Sequence, residues 1–254
     1  MLSNKTVLVA GAGGLIGRAV VKTCLAQGAC VIASDLELTA FQQRLQDDGI
    51  ATDNPNLTLT TLDLQQADAI QTLLLKYQPD GAVNCSYPRN KSYGKHFFDV
   101  SLQSFNDNLS LNLGSAFLLM QQCAAYFKQT QREFSLVNLA SVYGVVAPRF
   151  DVYANTSMTM PVEYAAIKSA LIHLSKYAAA YVADSRFRVN LVSPGGILDG
   201  QPEPFLQKYQ AKTLGKGMLD ATDVTGAIAF LLSDHARFTN GQNIVVDDGF
   251  TLCG

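Results

Sequence analysis

The chain has no tryptophan, and only 16% of its 254 residues are charged. Its 19 basic and 21 acidic residues leave a net charge of −2, which gives no broad positive field for nucleic acid or an anionic membrane. Cysteine is scarce and dispersed: Cys24, Cys30, Cys85, Cys123 and Cys253 form no C-x-x-C pair. An odd, scattered set makes a poor disulfide framework and a poor zinc site. His96, His173 and His235 are equally scattered, so no metal centre is predicted. The cysteines are expected to be mostly small core residues in a reducing compartment. No apolar run approaches the ~18–20 residues of a membrane span. The stretch Met1-Leu2-Ser3-Asn4-Lys5 lacks the charged and long apolar regions of a signal peptide. The expectation is a cytoplasmic chain with no membrane or nucleic-acid partner.

What the chain does contain is apolar material in a regular order. Hydrophobic residues make up 48%, enough for a sizeable core, and the length fits one α/β domain over residues 1–254. Short apolar runs read as strands: Thr6–Ala10, Ala29–Ser34, Leu57–Leu62, Gly81–Cys85, Phe134–Leu139, Arg188–Val192 and Asn243–Val246. Between them lie helical patterns at Leu15–Gln27, Leu38–Asp48, Gln65–Tyr77, Ser101–Thr130, Pro161–Ala183 and Thr222–Ser233. Strand–helix alternation throughout means βαβ units and a doubly wound, Rossmann-like parallel sheet of about seven strands. Ligands of such sheets sit at the carboxyl ends of the strands. Three irregular stretches follow such ends, near 86–95, 148–160 and 194–219, and are the expected substrate walls.

The first strand runs into Gly11-Ala12-Gly13-Gly14-Leu15-Ile16-Gly17 and then a helix. Glycines let a backbone approach a pyrophosphate, and the helix start offers free N–H groups and a positive dipole end. A purely structural glycine turn is the alternative. Asp35 ends the second strand, 24 residues after Gly11, close to the offset of a ribose-binding carboxylate. It would accept hydrogen bonds from ribose hydroxyls and repel a 2′-phosphate. With no Arg or Lys in Ala33–Thr39, NAD is favoured over NADP. A helix cap is the other use for Asp35. Asp63-Leu64, after the third strand, suits either the adenine amino group or a helix cap.

Tyr164 and Lys168 stand four apart in a helical pattern, so they share a face. A free phenol titrates near 10, too high for efficient proton exchange at neutral pH. A neighbouring ammonium favours the phenolate. Lowering the value by ~3 requires about 4 kcal/mol. Alone, the spacing also fits an exposed helix pair; downstream of the glycine turn and Asp35 it reads as a proton-transfer pair.

In this order the chain resembles the short-chain dehydrogenase/reductase family from Val7 to Gly249. The Gly11–Gly17 turn resembles the family's T-G-x-x-x-G-x-G, with Ala10 for threonine and Leu15 for the middle glycine. Asn84-Cys85-Ser86 resembles its N-A-G, with Ser86 for glycine. The resemblance implies that Asn112 holds a relay water near the lysine. It also implies that Ser141 binds the substrate oxygen, Tyr164 transfers the proton, and Lys168 holds the ribose and lowers the tyrosine pKa. Pro194 and Gly195, with Ile197, would lie beside the nicotinamide, and Gly11, Gly13, Gly14, Leu15, Ile16, Gly17, Asp35, Asp63, Leu64 and Asn84 would complete an NAD site. It further implies a homodimer or homotetramer built through the two long helices.

Ser141 and Tyr164 are 23 residues apart, a longer separation than is usual in the family. The extra segment, around Arg149–Ser157, is expected either to shape substrate choice or to be a solvent-exposed insertion. The loop Tyr87-Pro88-Arg89-Asn90-Lys91-Ser92-Tyr93-Gly94-Lys95 holds three cations and two tyrosines. Tyr87, Arg89, Lys91, Arg149 and Tyr153 are the candidate substrate contacts, suited to an anionic group, though a solvated basic loop has the same composition. No long Met- or Leu-lined segment suggests an acyl or steroid pocket. Several runs, including Thr156–Tyr164 and Gly195–Glu203, are similar to a subgroup associated with flagellin modification and bacterial surface sugars of the legionaminic-acid type. That similarity implies a small-molecule substrate, a sugar phosphate or nucleotide-linked sugar. A small polyol or alcohol dehydrogenase, and an NAD-binding scaffold without turnover, are the alternatives.

Overall fold

The computed structural model describes residues 1–252; Cys253, one of the five cysteines, lies outside them. Seven strands form one sheet: β1 (Thr6–Ala10), β2 (Cys30–Asp35), β3 (Leu57–Thr61), β4 (Gly81–Asn84), β5 (Phe134–Leu139), β6 (Phe187–Pro194) and β7 (Asn243–Val246). Their order is β3-β2-β1-β4-β5-β6-β7, and every neighbouring pair is parallel. The helices are α1 (Leu15–Ala26), α2 (Leu38–Asp47), α3 (Ala67–Tyr77), α4 (Leu102–Leu109), α5 (Ser115–Thr130), α6 (Val162–Val182), α7 (Glu203–Gln210) and α8 (Thr225–Leu232).

The twofold period of a strand sorts the core into two layers. Val7, Val9, Val31, Ala33, Val83 and Val137 face one side, with Val20, Phe41 and Ile228 from α1, α2 and α8. Leu8, Ala10, Ile32, Ala82 and Leu136 face the other, with Ile70, Leu119 and Leu171 from α3, α5 and α6. Both faces are thus covered, which is why the strands read as continuous apolar runs rather than alternating ones. The strand order reverses between β1 and β4, and that switch point opens a crevice at the carboxyl edge. Among the described residues, no helix is long and apolar enough to cross a membrane.

Three expectations about elements change. The predicted helix Ser101–Thr130 is interrupted by a π-helical turn at Ser110–Gly114, which adds a residue to one turn and re-aims Asn112; side-chain periodicity does not report such an insertion. The expected irregular stretch 194–219 contains α7, which starts just after Pro202 with Pro204 in its first turn, a favoured place for proline. The stretch 148–160 contains a short 3₁₀ turn, Phe150–Tyr153.

Candidate active site

A cavity of about 970 Å³ runs along the carboxyl edge of the sheet. At one end β1 bends into α1 through the glycine turn. Gly11 has φ +75°, and a Cβ there would lie 2.6 Å from the Ser86 nitrogen, so a side chain would collide with the backbone after β4. A Cβ on Gly17 would come within 2.1 Å of the Gly11 carbonyl. Gly17 therefore sets how closely helix and strand approach; it does not line the cavity. Gly13, Gly14, Leu15 and Ile16 do, and α1 begins without a side-chain cap. Its first N–H groups and dipole end are left for an anion. The fold thereby fits a dinucleotide pyrophosphate.

Asp35 closes this end. Its Oδ2 accepts from the Gly13 N–H at 2.8 Å and its Oδ1 from the Leu36 N–H at 2.8 Å. It is not a helix cap, because α2 starts later, after Glu37. Asp63 also lines the cavity; its Oδ1 accepts from the Gln65 N–H at 2.9 Å, ahead of α3. Leu64 lies beside it. Cations from outside the Ala33–Thr39 window nonetheless stand at this end. Arg18 from α1 and Arg44 from α2 both line it, and both donate to the Gly13 carbonyl, at 2.9 and 3.4 Å. They were missed because a window around Asp35 ignores cations carried by the flanking helices.

The other end gathers Ser141, at the end of β5, with Tyr164 and Lys168 from α6. The Lys168 ammonium donates to the Leu139 carbonyl at 2.7 Å and lies 5.7 Å from the Tyr164 ring centre. Burial lowers its pKa from 10.5 to about 8. Tyr164 departs from expectation. Burial pushes its phenol above the ordinary value, while the Ser141 hydroxyl beside it pulls the other way. Desolvation of the phenolate outweighs any help from Lys168, whose charge is itself weakened by the same burial and directed at a backbone carbonyl. Pro194, Gly195 and Ile197 form the adjoining wall, together with Gly196.

Other residues act from behind. Asn84 is buried, donates to Asn138 Oδ1 at 3.3 Å, and accepts from the Ser86 hydroxyl at 2.6 Å. It shapes the loop after β4 and does not line the cavity. Asn112, in the π turn, is buried and donates to the Pro88 carbonyl at 3.4 Å, bracing the same loop. Glu163, next to Tyr164, is fully buried and neither carboxylate oxygen has a hydrogen-bond partner.

The five candidate substrate contacts divide. Tyr87, Arg89 and Tyr153 line the cavity. Tyr87 packs edge-on against Tyr164, with ring centres 5.6 Å apart, and its hydroxyl is hydrogen-bonded to that of Tyr93. The Arg89 guanidinium lies 5.3 Å from the Tyr87 ring centre. Lys91 and Arg149 do not line the cavity. Lys91 points to solvent, and Arg149 stacks over Phe250 at 4.8 Å. A loop's charge does not reveal which of its side chains turn inward. Although no long Met- or Leu-lined segment exists, apolar side chains do reach the pocket. Met158, Met160, Met218, Phe205, Tyr209 and Tyr143 line this end, drawn from four separate segments and hence invisible as a run. The 148–160 insertion is no loose loop. Asp151 pairs with Lys212 at 2.9 Å, Lys208 donates to the Ala154 carbonyl, and Tyr153 packs on Phe205 at 5.2 Å, fastening it to α7 and the turn after it.

Against known proteins, the family model described as enoyl-(acyl carrier protein) reductase matches residues 11–251. The post-translational flagellin modification protein A of Campylobacter coli is 38% identical over 99% of this chain and 100% of that protein. Among solved structures, a short-chain dehydrogenase from Leptospira borgpetersenii with bound NAD+ is 30% identical, with a TM-score of 0.85 over 98% of this chain and 94% of that one. A 4-hydroxyisoleucine dehydrogenase complexed with NADH is 28% identical, with a TM-score of 0.80 over 98% and 99%.

Proposed function

The chain belongs to the short-chain dehydrogenase/reductase family, and we propose that it works as one domain, as an NAD(H)-dependent oxidoreductase acting on a secondary alcohol or ketone of a phosphorylated or nucleotide-linked sugar. The observation that carries this reading is the convergence of Ser141, Tyr164 and Lys168 at one end of a cavity whose other end is the glycine turn and Asp35. NAD(H), held by Gly13, Gly14, Leu15, Ile16, Asp35, Lys168, Pro194, Gly195 and Ile197, supplies the hydride-accepting or hydride-donating ring when bound. Asp63 and Leu64 flank its adenine end, while Gly11, Gly17 and Asn84 hold the turn and loop in shape. Ser141 orients the substrate oxygen. Tyr164 takes or gives that oxygen's proton, a step worth about 10²–10⁴-fold. Lys168 stabilises the charge left on the phenol once a bound ligand draws its ammonium off the Leu139 carbonyl. Asn112 acts on the same chemistry indirectly, through the loop that carries Tyr87.

The sugar assignment draws support from the flagellin-modification relative and from Arg89, which lines the cavity near the catalytic pair. Arg149 and Lys91, which face elsewhere, leave Arg89 as the cation for an anionic substituent. The methionine and aromatic wall favours a second reading, a small cyclic alcohol with an apolar ring face. We place the reaction in the cytoplasm. A homodimer or homotetramer is supported by Phe117 on α5 and by Tyr177 and Tyr181 on α6, all exposed. Incubation with NAD and a panel of sugar phosphates and nucleotide sugars, followed by NADH absorbance, tests the substrate class. Tyr164→Phe is expected to abolish turnover while NADH still binds; an unchanged rate would remove Tyr164 from the mechanism.

A further inference from the structure

Lys168 is buried and forms no ion pair among the described residues. Its ammonium donates to the Leu139 carbonyl at 2.7 Å. Two rings also face it. It lies 5.7 Å from the Tyr164 ring centre and 5.5 Å from that of Tyr87. The rings stand at 86° with centres 5.6 Å apart, so the ammonium and the two centres form a nearly equilateral triangle. The Tyr87 hydroxyl is engaged with that of Tyr93, so Tyr87 offers Lys168 its π face and not its oxygen. The loop that carries Tyr87 is tied down on both sides of Arg89. The Asn112 amide donates to the Pro88 carbonyl at 3.4 Å, and the Asn90 N–H donates to Asn108 Oδ1 at 3.0 Å.

We propose that Tyr87 is a positioning residue for the proton transfer: its ring, in place of a carboxylate, holds the Lys168 ammonium charged and beside Tyr164. This deepens the proposed function and rests on it. A buried charge needs a partner. A carboxylate would cancel the field that favours the Tyr164 phenolate, whereas a ring attracts the ammonium through its quadrupole and leaves the charge in place. The margin at neutral pH is narrow, because burial brings Lys168 down to about 8. A tenfold loss of support, about one pH unit, would leave only about half of Lys168 charged at pH 7. The other groups around the pair do not replace the ring. Cys85, from the end of β4, acts on Lys168, but burial pushes its thiol up and keeps it neutral. Burial likewise raises the phenols of Tyr87, Tyr93 and Tyr164. Arg89 is a second cation over the Tyr87 ring, at 5.3 Å, and the charge of Glu163 acts on Tyr93.

Urea titrations of the cofactor-free protein test this through a double-mutant cycle of Tyr87→Leu with Lys168→Met; Tyr87→Met replaces the leucine variant if that does not fold. The cycle cancels the titration of both residues in the unfolded chain. At pH 7 the ring and the ammonium are expected to favour each other about fivefold in the folding equilibrium. At pH 10, where Lys168 is neutral in the folded protein, the coupling should fall below about twofold. Tyr87→Phe keeps the ring and loses only the bond to Tyr93, so its cycle with Lys168→Met should show no coupling at either pH. A coupling that is absent at pH 7, that is the same at pH 10, or that is as large with Tyr87→Phe overturns the inference. The cycle needs no substrate, so a missing coupling counts against Tyr87 whether or not the wild type turns over. Absence of any NAD-dependent oxidation by the wild type counts instead against the dehydrogenase reading.

Discussion

Replacing Asp35 by serine should turn the cofactor preference, and the geometry gives the size of the change. The Asp35 carboxylate touches the glycine turn through the Gly13 N–H at 2.8 Å and faces the end of the cavity that suits the adenosine ribose. A hydrogen bond to a charged acceptor is worth about 1.5–3 kcal/mol, so its loss weakens NADH binding about 10- to 100-fold. A 2′-phosphate brought within about 4 Å of the carboxylate would meet a repulsion of up to about 4 kcal/mol per unit charge at a near-surface effective dielectric, and salt reduces that figure. Removing the carboxylate relieves it. The two effects add in the ratio of NADH to NADPH dissociation constants, which should swing by at least about 100-fold toward NADPH.

The same corner supplies the new counter-charge. Arg18 is committed: it pairs with Asp48 at 2.5 Å and with the Gly13 carbonyl at 2.9 Å. Arg44 holds that carbonyl only at 3.4 Å and is exposed, so it is the guanidinium free to swing onto a phosphate. Titration of the intrinsic fluorescence of NADH and NADPH on Asp35→Ser, and on Asp35→Ser with Arg44→Ala, separates the two contributions. The double variant should surrender most of the NADPH gain while leaving NADH where the single variant put it. An NADH/NADPH ratio within threefold of wild type in a folded Asp35→Ser protein would refute this account of the ribose end.

Two further changes probe the floor of the site. Lys168 falls from 10.5 to about 8 on folding, a cost of about 3 kcal/mol at 1.36 kcal/mol per pH unit. The unfolded chain binds the proton more tightly, so this penalty is carried in full below pH 8 and vanishes as the pH rises toward 10.5. The cofactor-free Lys168→Met protein should therefore be more stable than wild type at pH 7 in denaturant titrations, with the gap closing above pH 8; a gap that widens with pH has the wrong sign for a desolvated ammonium. Glu163→Met removes a buried carboxyl group whose two oxygens have no partner and should raise the thermal midpoint by several degrees, the equivalent of about 1–3 kcal/mol. A lower midpoint would show that the carboxylate is paired in the assembled protein.

The cofactor half of the site could be read from the sequence because it is local. The glycine turn, Asp35 at the end of β2, and Tyr164 four residues before Lys168 are each defined by short spacing within one βαβ unit or one helix. Strand and helix existence followed for the same reason. Boundaries moved by a residue or two, as at β2, which begins at Cys30 rather than Ala29. Electrostatic state was not legible in this way. The i, i+4 spacing places an ammonium near a phenol, but the sign of the shift at Tyr164 depends on how much solvent both have lost, and that is a property of the packed cavity. The π turn at Ser110–Gly114 escaped for a related reason: it changes the hydrogen-bond ring size without changing which side chains are apolar.

The half of the cavity proposed for the substrate is non-local, which is why composition and short windows do not reveal it. Tyr143 follows β5, Tyr153 and Met158 come from the insertion, Phe205 and Tyr209 from α7, and Phe250 from beyond β7; they meet as one cluster. No window of sequence contains that wall. The insertion gains its shape from α7 and the turn after it, through Asp151–Lys212, Lys208 to the Ala154 carbonyl, and Tyr153 on Phe205. α7 in turn fixes the turn that shares the cavity with Tyr164 and Lys168, since the Gly196 N–H donates to the Tyr209 hydroxyl at 2.5 Å. A change in the insertion therefore reaches the reacting carbon through α7 and Gly196 without any insertion residue touching it. Exchanging the insertion alone for a relative's would leave Lys212 unpaired and Phe205 uncovered. Exchanging it together with 203–212 keeps those contacts, and only the paired exchange should transfer substrate preference with the fold intact.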